Sequence, residues 1–349
     1  MTTRSDVDFW LELSVDLRAS DIHFSEDRAP IFRIDGELTD EPSKGKATSA
    51  KVLLSWIQGA IDEERFAHFE ELGDVDFAVS SSGSHRFRVN AFWESERVAI
   101  AVRRLNTTIP SFDDIGLPQV IRGWAERHTG LIIVTGPTGS GKSTTVASMV
   151  NYANNLEANH ILTIEDPVEY ILPDGLGVVR QREVGTDSSD FPRAIRAGLR
   201  EDLDIMVIGE MRDKETIAAA ITVAETGHLV FATLHTYNAP QAIDRIIDAF
   251  EPSEQPLIRS RLSSSLIGVV YQRLLPALGG GRVAAYEVLV ANSAVKNLIR
   301  EGKTFHIANS MTTGINEGMQ PMERAISQLI KNQKISQEVG NSFIEKNLR

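Results

Sequence analysis

From His128 onward, short apolar runs alternate with helix-forming stretches, and this alternation limits the fold more than any other feature of the sequence. Apolar runs of four or five residues are typical of parallel strands that are covered on both faces. Because successive parallel strands need a crossover helix, the pattern predicts a doubly wound α/β domain. The predicted strands are residues 131–134, 161–164, 205–208 and 229–233, and the predicted helices are 144–152, 191–199 and 215–225.

The first hundred residues have a different pattern, which predicts a separate small α/β domain. Helices are expected at 6–17 and 50–69, strands at 31–34, 75–79, 86–92 and 98–103, and turns at 35–36, 80–84 and 94–97. Residues 106–110 interrupt this pattern. We therefore expect an N-terminal domain over 1–108, a linker over 109–118, a main α/β domain over 119–291 and a helical C-terminal region over 292–349. The main domain should begin with a helix near 118–127 and end in paired strands at 269–275 and 283–290.

Composition excludes several classes of function. The 349 residues carry a net charge of −12 and form no aromatic and basic stripe, so we expect no nucleic-acid partner. The chain has no cysteine, which excludes disulfides, thiolate metal sites and cysteine nucleophiles. No apolar run approaches the length of a membrane span, so we expect a cytoplasmic protein without a transmembrane segment.

The segment GPTGSGKS follows a predicted strand and precedes a predicted helix, which is the context that a P-loop requires. Glycines let the backbone wrap phosphate oxygens, while the lysine reaches the outer phosphates and the serine can bind Mg²⁺. The sequence thus predicts an ATP and Mg²⁺ site, whose nucleotide-binding residues are Gly136, Pro137, Thr138, Gly139, Ser140, Gly141, Lys142, Ser143 and Thr144.

Hydrolysis also needs acidic groups at neighbouring strand ends, and two are available. Glu165 and Asp166 follow the strand 161–164, and Glu210 follows 205–208 after one glycine. We assign Glu210 to the Mg²⁺ shell and to water positioning, with Mg²⁺ held by Ser143 and Glu210 directly or through water. Glu165 shares the general-base role or takes it entirely.

Two histidines flank the strand 229–233. His235 lies at its carboxyl end, where α/β sheets bind ligands, and we expect it to contact the γ-phosphate. For His228 a functional and a structural role are equally open. Metal binding by either is disfavoured, because no further histidines or cysteines cluster nearby.

Four segments together resemble one family. GPTGSGKSTT, ILTIEDPVEY, IMVIGEMRD and TGHLVFATLHT are similar to the Walker A, Asp-box, Walker B and His-box motifs of the secretion ATPase superfamily. Upstream, ASDIH and RFRVN also resemble family signatures, so the resemblance covers nearly the whole chain. The family powers type II and type IV secretion and type IV pili.

The resemblance implies a homo-hexamer in which an N-terminal PAS-like domain and a RecA-like domain hold ATP between them. Arginines of the N-terminal strands would then reach the phosphates, and family position suggests Arg88, Arg97, Arg103 and Arg104. We select Arg88 and Arg104 as catalytic, since Arg104 matches the family pattern better than Arg103. A further match comes from Arg196 and Arg200, for which a surface ion pair is an equally good interpretation.

The C-terminal third indicates the branch. Assembly ATPases of the family commonly carry a four-cysteine zinc module, which this chain cannot form. Residues 294–301, AVKNLIRE, closely resemble the AIRNLIRE motif of PilT-type retraction ATPases. This implies an ATPase that drives pilus retraction by acting on an inner-membrane platform protein, from the inner face of the cytoplasmic membrane. The alternatives are an ATPase of a type IVB secretion or conjugation system and a non-hydrolysing nucleotide-binding regulator.

Overall fold

A computed structural model describes residues 6–34, 37–81, 85–105 and 108–347. The chain divides into two units, one formed by Met1–Thr108 with Pro167–Tyr170 and the other by Ile109–Asp166 with Ile171–Arg349. The expected turn at 35–36 and parts of the expected features at 80–84 and 106–110 lie outside the described residues. Every helix of the described chain is too short or too polar to cross a bilayer.

The first unit is an antiparallel sheet with helices on one face. Its strands have the order β3-β2-β1-β6-β5-β4. Alternate residues of β5 are buried, because one face of the sheet packs on the helices and the other stays half-exposed. The elements are α1 (Asp6–Asp16), β1 (Asp21–Ser25), β2 (Ile31–Ile34), β3 (Glu37–Thr39), α2 (Ala50–Ala60), α3 (Glu63–Leu72), β4 (Asp74–Ser80), β5 (Arg86–Glu94) and β6 (Arg97–Leu105).

The single helix predicted over 50–69 is wrong. Its residues are divided between α2 and α3, with Ile61 and Asp62 in extended conformation between them. The Asp62 side chain accepts a hydrogen bond from the backbone N–H of Arg65 at 2.8 Å. Asp62 is therefore the N-cap of a second helix, since a capping carboxylate satisfies the free N–H groups of a first turn.

The second unit is a doubly wound sheet of order β13-β12-β7-β11-β10-β8-β9, parallel except for β13. The four predicted apolar strands are confirmed as β7, β8, β10 and β11, whereas β9, α8 and α9 were not predicted. The elements are α4 (Gln119–Ala125), β7 (Gly130–Thr135), α5 (Lys142–Leu156), β8 (His160–Glu165), β9 (Val178–Glu183), α6 (Phe191–Gly198), β10 (Ile205–Ile208), α7 (Lys214–Glu225), β11 (Leu229–Leu234), α8 (Ala239–Asp248), α9 (Gln255–Ser265), β12 (Leu266–Pro276), β13 (Arg282–Val290), α10 (Ser293–Arg300), α11 (Ile307–Thr313), α12 (Met322–Lys331) and α13 (Gln337–Asn347).

Helices cover both faces of this sheet. Leu131 and Ile133 of β7 enter one core with α6 to α9 and the C-terminal helices, while Ile132 and Val134 enter the opposite core with α4 and α5. This division explains why the central strands are apolar throughout, since each side chain of a doubly covered strand is buried.

Residues 109–118, predicted as a linker, belong to the second unit and are fixed to it at three points. The Ser148 hydroxyl donates to the Pro110 carbonyl at 2.7 Å, and the Tyr286 hydroxyl donates to the Ile115 carbonyl at 3.0 Å. The Phe112 ring packs edge-on against Tyr152. Burial raises the pKa of Tyr286 to about 12, so its hydroxyl stays protonated as a donor. The predicted domain bounds themselves stay a prediction.

Candidate active site

The carboxyl ends of β7, β11, β10 and β8 lie side by side in that order at one edge of the parallel sheet. The P-loop follows β7, His235 follows β11, Glu210 follows β10 after Gly209, and Glu165 ends β8. Strand order thus brings together four segments that are far apart in the sequence, at the edge where α/β proteins bind ligands.

Glycines shape the P-loop backbone. Gly139 has φ +74° and Gly141, the residue before α5, has φ +90°, a region that other L-residues rarely adopt. A Cβ atom on Gly136 would lie 2.5 Å from the Gln272 carbonyl oxygen and 2.7 Å from the Ser140 hydroxyl. The loop therefore turns tightly against β12 and leads directly into the N-terminus of α5, whose free N–H groups suit an anion.

Lys142 folds back over this loop. Its ammonium nitrogen donates to the carbonyl oxygens of Gly136 at 3.0 Å and Pro137 at 3.2 Å, and it lies 3.5 Å from the His235 Nδ1 atom. The residue is only 9% exposed. A buried ammonium with neutral carbonyl partners is available to exchange them for a charged oxygen, because charge-assisted hydrogen bonds are the stronger kind.

His235 connects the lysine to an acid. Its Nε2 atom is 3.4 Å from one carboxylate oxygen of Glu210. The other carboxylate oxygen of Glu210 is 2.8 Å from the Arg212 guanidinium. Burial and the nearby Lys142 ammonium lower the pKa of His235, although the Glu210 carboxylate opposes them. The hydrogen bond that Arg212 donates to Glu210 raises the pKa of this guanidinium. The imidazole therefore stays neutral near pH 7, between a cation and an anion.

Glu165 lies one strand further along. Its carboxylate accepts a hydrogen bond from the Thr163 hydroxyl at 2.7 Å and from the Gln181 amide at 3.4 Å. A Cβ atom on Gly209 would lie 3.1 Å from the Glu165 Cα atom, so this glycine lets the β10 end approach Glu165 closely. Glu165 and Glu210, which have different neighbours, thus share the sheet edge.

The donor types at this edge fit Mg²⁺. Ser143 lies in the first turn of α5 and Glu210 at the end of β10, and both supply the hard oxygen ligands that Mg²⁺ prefers. Within the described part of the chain no group of three or more His, Asp or Glu side chains could hold a metal by itself. Mg²⁺ in proteins often takes one or two carboxylate ligands and completes its shell with phosphate and water oxygens.

Gln272 and the threonine pair Thr135 and Thr236 support the site and were not predicted. The Gln272 side-chain amide of β12 donates to the Ser140 carbonyl at 2.6 Å and is 1% exposed. The Thr135 hydroxyl lies 2.9 Å from that of Thr236 and accepts from the Thr236 N–H at 3.0 Å. The available signals were Thr135 at the end of the apolar β7 and Gln272 within β12, since buried polar groups are usually bonded.

The arginines predicted to reach phosphate divide between the two faces of the first unit's sheet. Arg88 pairs with Arg103 across β5 and β6, whereas Arg104 pairs with the fully buried Phe87. Arg88 lies 4.0 Å from an Asp76 carboxylate oxygen on the half-exposed face. Arg104 donates to the Val15 carbonyl, near the end of α1, at 3.4 Å.

Three of the other candidates have local partners. His228 lies at the amino end of β11, the sheet edge opposite to the P-loop, where its Nδ1 atom is 3.1 Å from the Val223 carbonyl. Arg200 donates to the Arg196 carbonyl on α6 at 3.2 Å. Arg103, set aside in favour of Arg104, donates to the Asp21 carboxylate at 2.9 Å. The local contacts of His228, Arg200 and Arg103 are typical of structural residues at the protein surface.

Residues 5–341 match the family described as type II/IV secretion system proteins. The chain belongs to this family. It is 41% identical over 333 residues to the "Type IV pilus retractation ATPase PilT" of Pseudomonas aeruginosa, covering 95% of this chain and 96% of that protein. The crystal structure of the pilus retraction motor PilT with bound ADP superposes with a TM-score of 0.88 at 42% identity, covering 96% of both chains. The ATPase DotB of Legionella pneumophila has a TM-score of 0.86 at 26% identity, covering 99% of this chain and 96% of that one.

Family membership confirms two predictions made from the sequence. The chain resembles PilT-type members of the secretion ATPase superfamily as expected. Its fold class is also as predicted, with a PAS-like α/β domain, a RecA-like P-loop domain and a helical C-terminal region. The secretion and pilus proteins to which it is similar are ATPases by name.

Proposed function

We propose that this protein hydrolyses ATP to ADP and phosphate and uses the energy to retract a type IV pilus. One observation carries the enzymatic part: the His235 imidazole lies 3.5 Å from the Lys142 ammonium and 3.4 Å from the Glu210 carboxylate at the sheet edge that carries the P-loop. The near full-length similarity to a retraction ATPase supports the mechanical part. The lower identity to DotB makes the alternative, a type IVB secretion ATPase, the second candidate.

The P-loop and Lys142 bind the nucleotide phosphates in this proposal. Backbone N–H groups of residues 136 and 138–144 surround the phosphate oxygens, and Lys142 gives up the Gly136 and Pro137 carbonyls for the outer phosphates. Ser143 and Glu210 hold Mg²⁺, directly or through water. When bound, the ion would supply positive charge that stabilises the phosphate oxygens.

The acids and the histidine act on the attacking water and the terminal phosphate. Glu210 orients the water, and Glu165, bonded to neutral groups, shares or takes the general-base role. His235 contacts the γ-phosphate with a neutral ring and senses its loss. An arginine of the N-terminal unit, Arg88 or Arg104, adds positive charge as the phosphoryl group leaves.

The mechanical output requires partners. We propose a homo-hexamer that works on a platform protein from the inner face of the cytoplasmic membrane, so that hydrolysis removes pilin subunits from the fibre. The similarity to a pilus retraction motor supports this part of the proposal. The non-hydrolysing regulator is less consistent with Lys142, Glu165 and Glu210 being present together.

Two substitutions test the enzymatic part by separating binding from turnover. Lys142→Ala should abolish binding of fluorescent ADP, because the ammonium that neutralises the outer phosphates is lost. Glu210→Gln should keep the affinity for ADP within a few-fold and lower kcat by roughly 10²-fold or more. Lys331→Ala and Glu338→Gln, at exposed positions of the C-terminal helices, are matched controls with unchanged turnover. An assembled wild-type protein without ATPase activity would contradict the proposal.

A further inference from the structure

Glu287 is a buried acid that the proposed mechanism does not use. It lies on β13, opposite Tyr271 of β12, and is 8% exposed. Its side chain shares a face of the strand with Ala285 and Leu289, both part of the core that includes α8 and α12. No lysine or arginine of the described residues forms an ion pair with it. A carboxylate in such a place must be stabilised by other groups.

Two helix N-termini supply that stabilisation. The Glu287 carboxylate accepts the backbone N–H of Ala239, the first residue of α8, at 2.7 Å. The backbone N–H of Met322, the first residue of α12, also stabilises the charged form of this carboxylate and so acts to lower its pKa. Asn238 caps α8 with its own side chain, but Pro321, at the start of α12, makes no capping bond. The Glu287 carboxylate therefore places negative charge at the N-terminus of α12, whose own N-cap makes no capping bond.

This arrangement is sensitive to change at either end. Burial raises the pKa of Glu287, and the two backbone N–H groups oppose that rise. Loss of the Ala239 N–H would leave the carboxyl group without this hydrogen bond in an apolar core, and a shift of α12 would remove the second group that stabilises its charge. Because an unsatisfied buried polar group is costly, the positions of α8 and α12 are coupled through Glu287.

α8 begins close to the sheet edge that carries the P-loop and His235. Three residues separate His235 from Ala239, and hydrogen bonds hold them in place. Thr236 is bonded to Thr135, the last residue before the P-loop, and its hydroxyl donates to the Asn238 carbonyl at 3.0 Å. A displacement of His235 therefore reaches the α8 N-terminus through a short and fixed segment.

α12 is one of the C-terminal helices, and its N-terminus is joined to β13. Gln320, two residues before α12, exchanges backbone hydrogen bonds with Val288 of β13 at 2.8 and 2.9 Å, and its side chain donates to the Tyr286 carbonyl. α12 then packs on β13 and α13 through buried residues such as Ala325 and Ile326. Glu287 thus lies between the α8 N-terminus, which follows the His235 segment, and the C-terminal helices.

We propose that Glu287 is a positioning residue that transmits the nucleotide state from the His235 segment to the C-terminal helices by holding the first turns of α8 and α12 together. This inference rests on the proposed function, because it assumes that the P-loop edge binds nucleotide. It assigns to the buried acid a role in coupling chemistry to movement and none in the chemical step.

Hydrogen exchange with and without Mg²⁺ and ADP tests this coupling. In the wild-type protein, nucleotide should slow amide exchange both in the P-loop and, by at least about threefold, in α12. Glu287→Gln replaces one acceptor oxygen by a donor group, so it should keep the P-loop response and lose the α12 response. Glu338→Gln, at an exposed position of α13, should keep both. The KM for ATP should stay within about twofold in all three proteins, because the Glu287 carboxylate bonds to the backbone of α8 and takes no part in the proposed chemical step.

The outcomes separate the two claims. A wild-type P-loop that ADP does not protect overturns the proposed function and this inference with it. Protection of the P-loop without any response in α12, or an α12 response that persists in Glu287→Gln, overturns the inference alone. Should Glu287→Gln fail to fold, Glu287→Asp decides, since it keeps the charge but is too short to reach both helices. Its α12 response should also be lost.

Discussion

At the residue scale, His235 is the best-defined functional group of the site. Its ring lies 3.5 Å from the Lys142 ammonium and 3.4 Å from the Glu210 carboxylate, the one lowering and the other raising its pKa. Burial and Lys142 prevail, so the charged form is disfavoured. A neutral ring at this position can donate to an oxyanion without adding repulsion against Lys142.

The lowered pKa predicts how this residue titrates. The His235 ring signal in ¹³C-labelled protein is assigned by its loss in His235→Gln. Its pH titration should have a midpoint below the ordinary histidine value of about 6.5. The folded state binds this proton less readily than the unfolded chain. Stability from this group is therefore present above about pH 6.5 and declines as the pH falls through that value. A midpoint at or above 6.5 would contradict the assignment, and His228→Gln, at the opposite sheet edge, should leave the signal unchanged.

Gln272 gives a second prediction at this scale. Gln272→Leu removes the donor to the Ser140 carbonyl and leaves that carbonyl buried beneath the P-loop. We expect the affinity for ADP to fall by roughly five- to a hundredfold, as a lost buried hydrogen bond implies, and KM to rise more than kcat falls. Gln320→Leu removes a similar amide bond, to the Tyr286 carbonyl, away from the loop. Calorimetric titration showing equal affinity in both variants would refute a positioning role.

At the scale of elements, hydrophobic pattern predicted the strands well and their surroundings less well. The apolar runs that became β7, β8, β10 and β11 are buried on both faces, so every residue carries the signal. The edge strand β9 has the sequence VVRQRE and is half-exposed, which removes that signal. α8 could have been predicted, because Asn238 and Pro240 are typical of a helix start.

The sequence alone did not predict which single side chains contact one another. Gln272 and Ser140 are 132 residues apart, and Glu287 and Ala239 are 48 apart, so only the strand order brings them together. Pattern analysis identifies which residues follow a strand. It does not specify which strand lies next to which, and the supporting residues of the site depend on that order.

The packing of β12 against α4 supports a prediction at this scale. A Cβ atom on Gly268 would lie 2.3 Å from the Trp124 ring and 2.7 Å from the Leu289 carbonyl. Gly268→Ala should therefore lower the free energy of unfolding by about 1–3 kcal/mol, the usual cost of overpacking a core. Gly279, where an added Cβ atom would have no neighbour within 4 Å, provides the control substitution Gly279→Ala. Denaturant unfolding of both variants measures the difference, and equal midpoints would contradict this account of the packing.

At the scale of the whole molecule, the proposed function connects ATP hydrolysis at the P-loop to movement of the C-terminal helices. The nucleotide edge, α8, Glu287 and the C-terminal helices all belong to the second unit, while the arginines assigned to phosphate belong to the first. Arg88 and Arg104 leave opposite faces of their sheet. Separate substitution of each should therefore identify a single residue whose loss lowers kcat.

The most direct measurement of the central claim is made in the source organism, by deleting the gene and complementing it with wild-type protein, Glu210→Gln or Glu338→Gln. Twitching motility and surface pili are then scored together. The account predicts that the deletion strain keeps or gains surface pili and loses twitching, that wild-type protein and Glu338→Gln restore twitching, and that Glu210→Gln does not. Absent pili, failed protein export with normal twitching, or restoration of twitching by Glu210→Gln would contradict it.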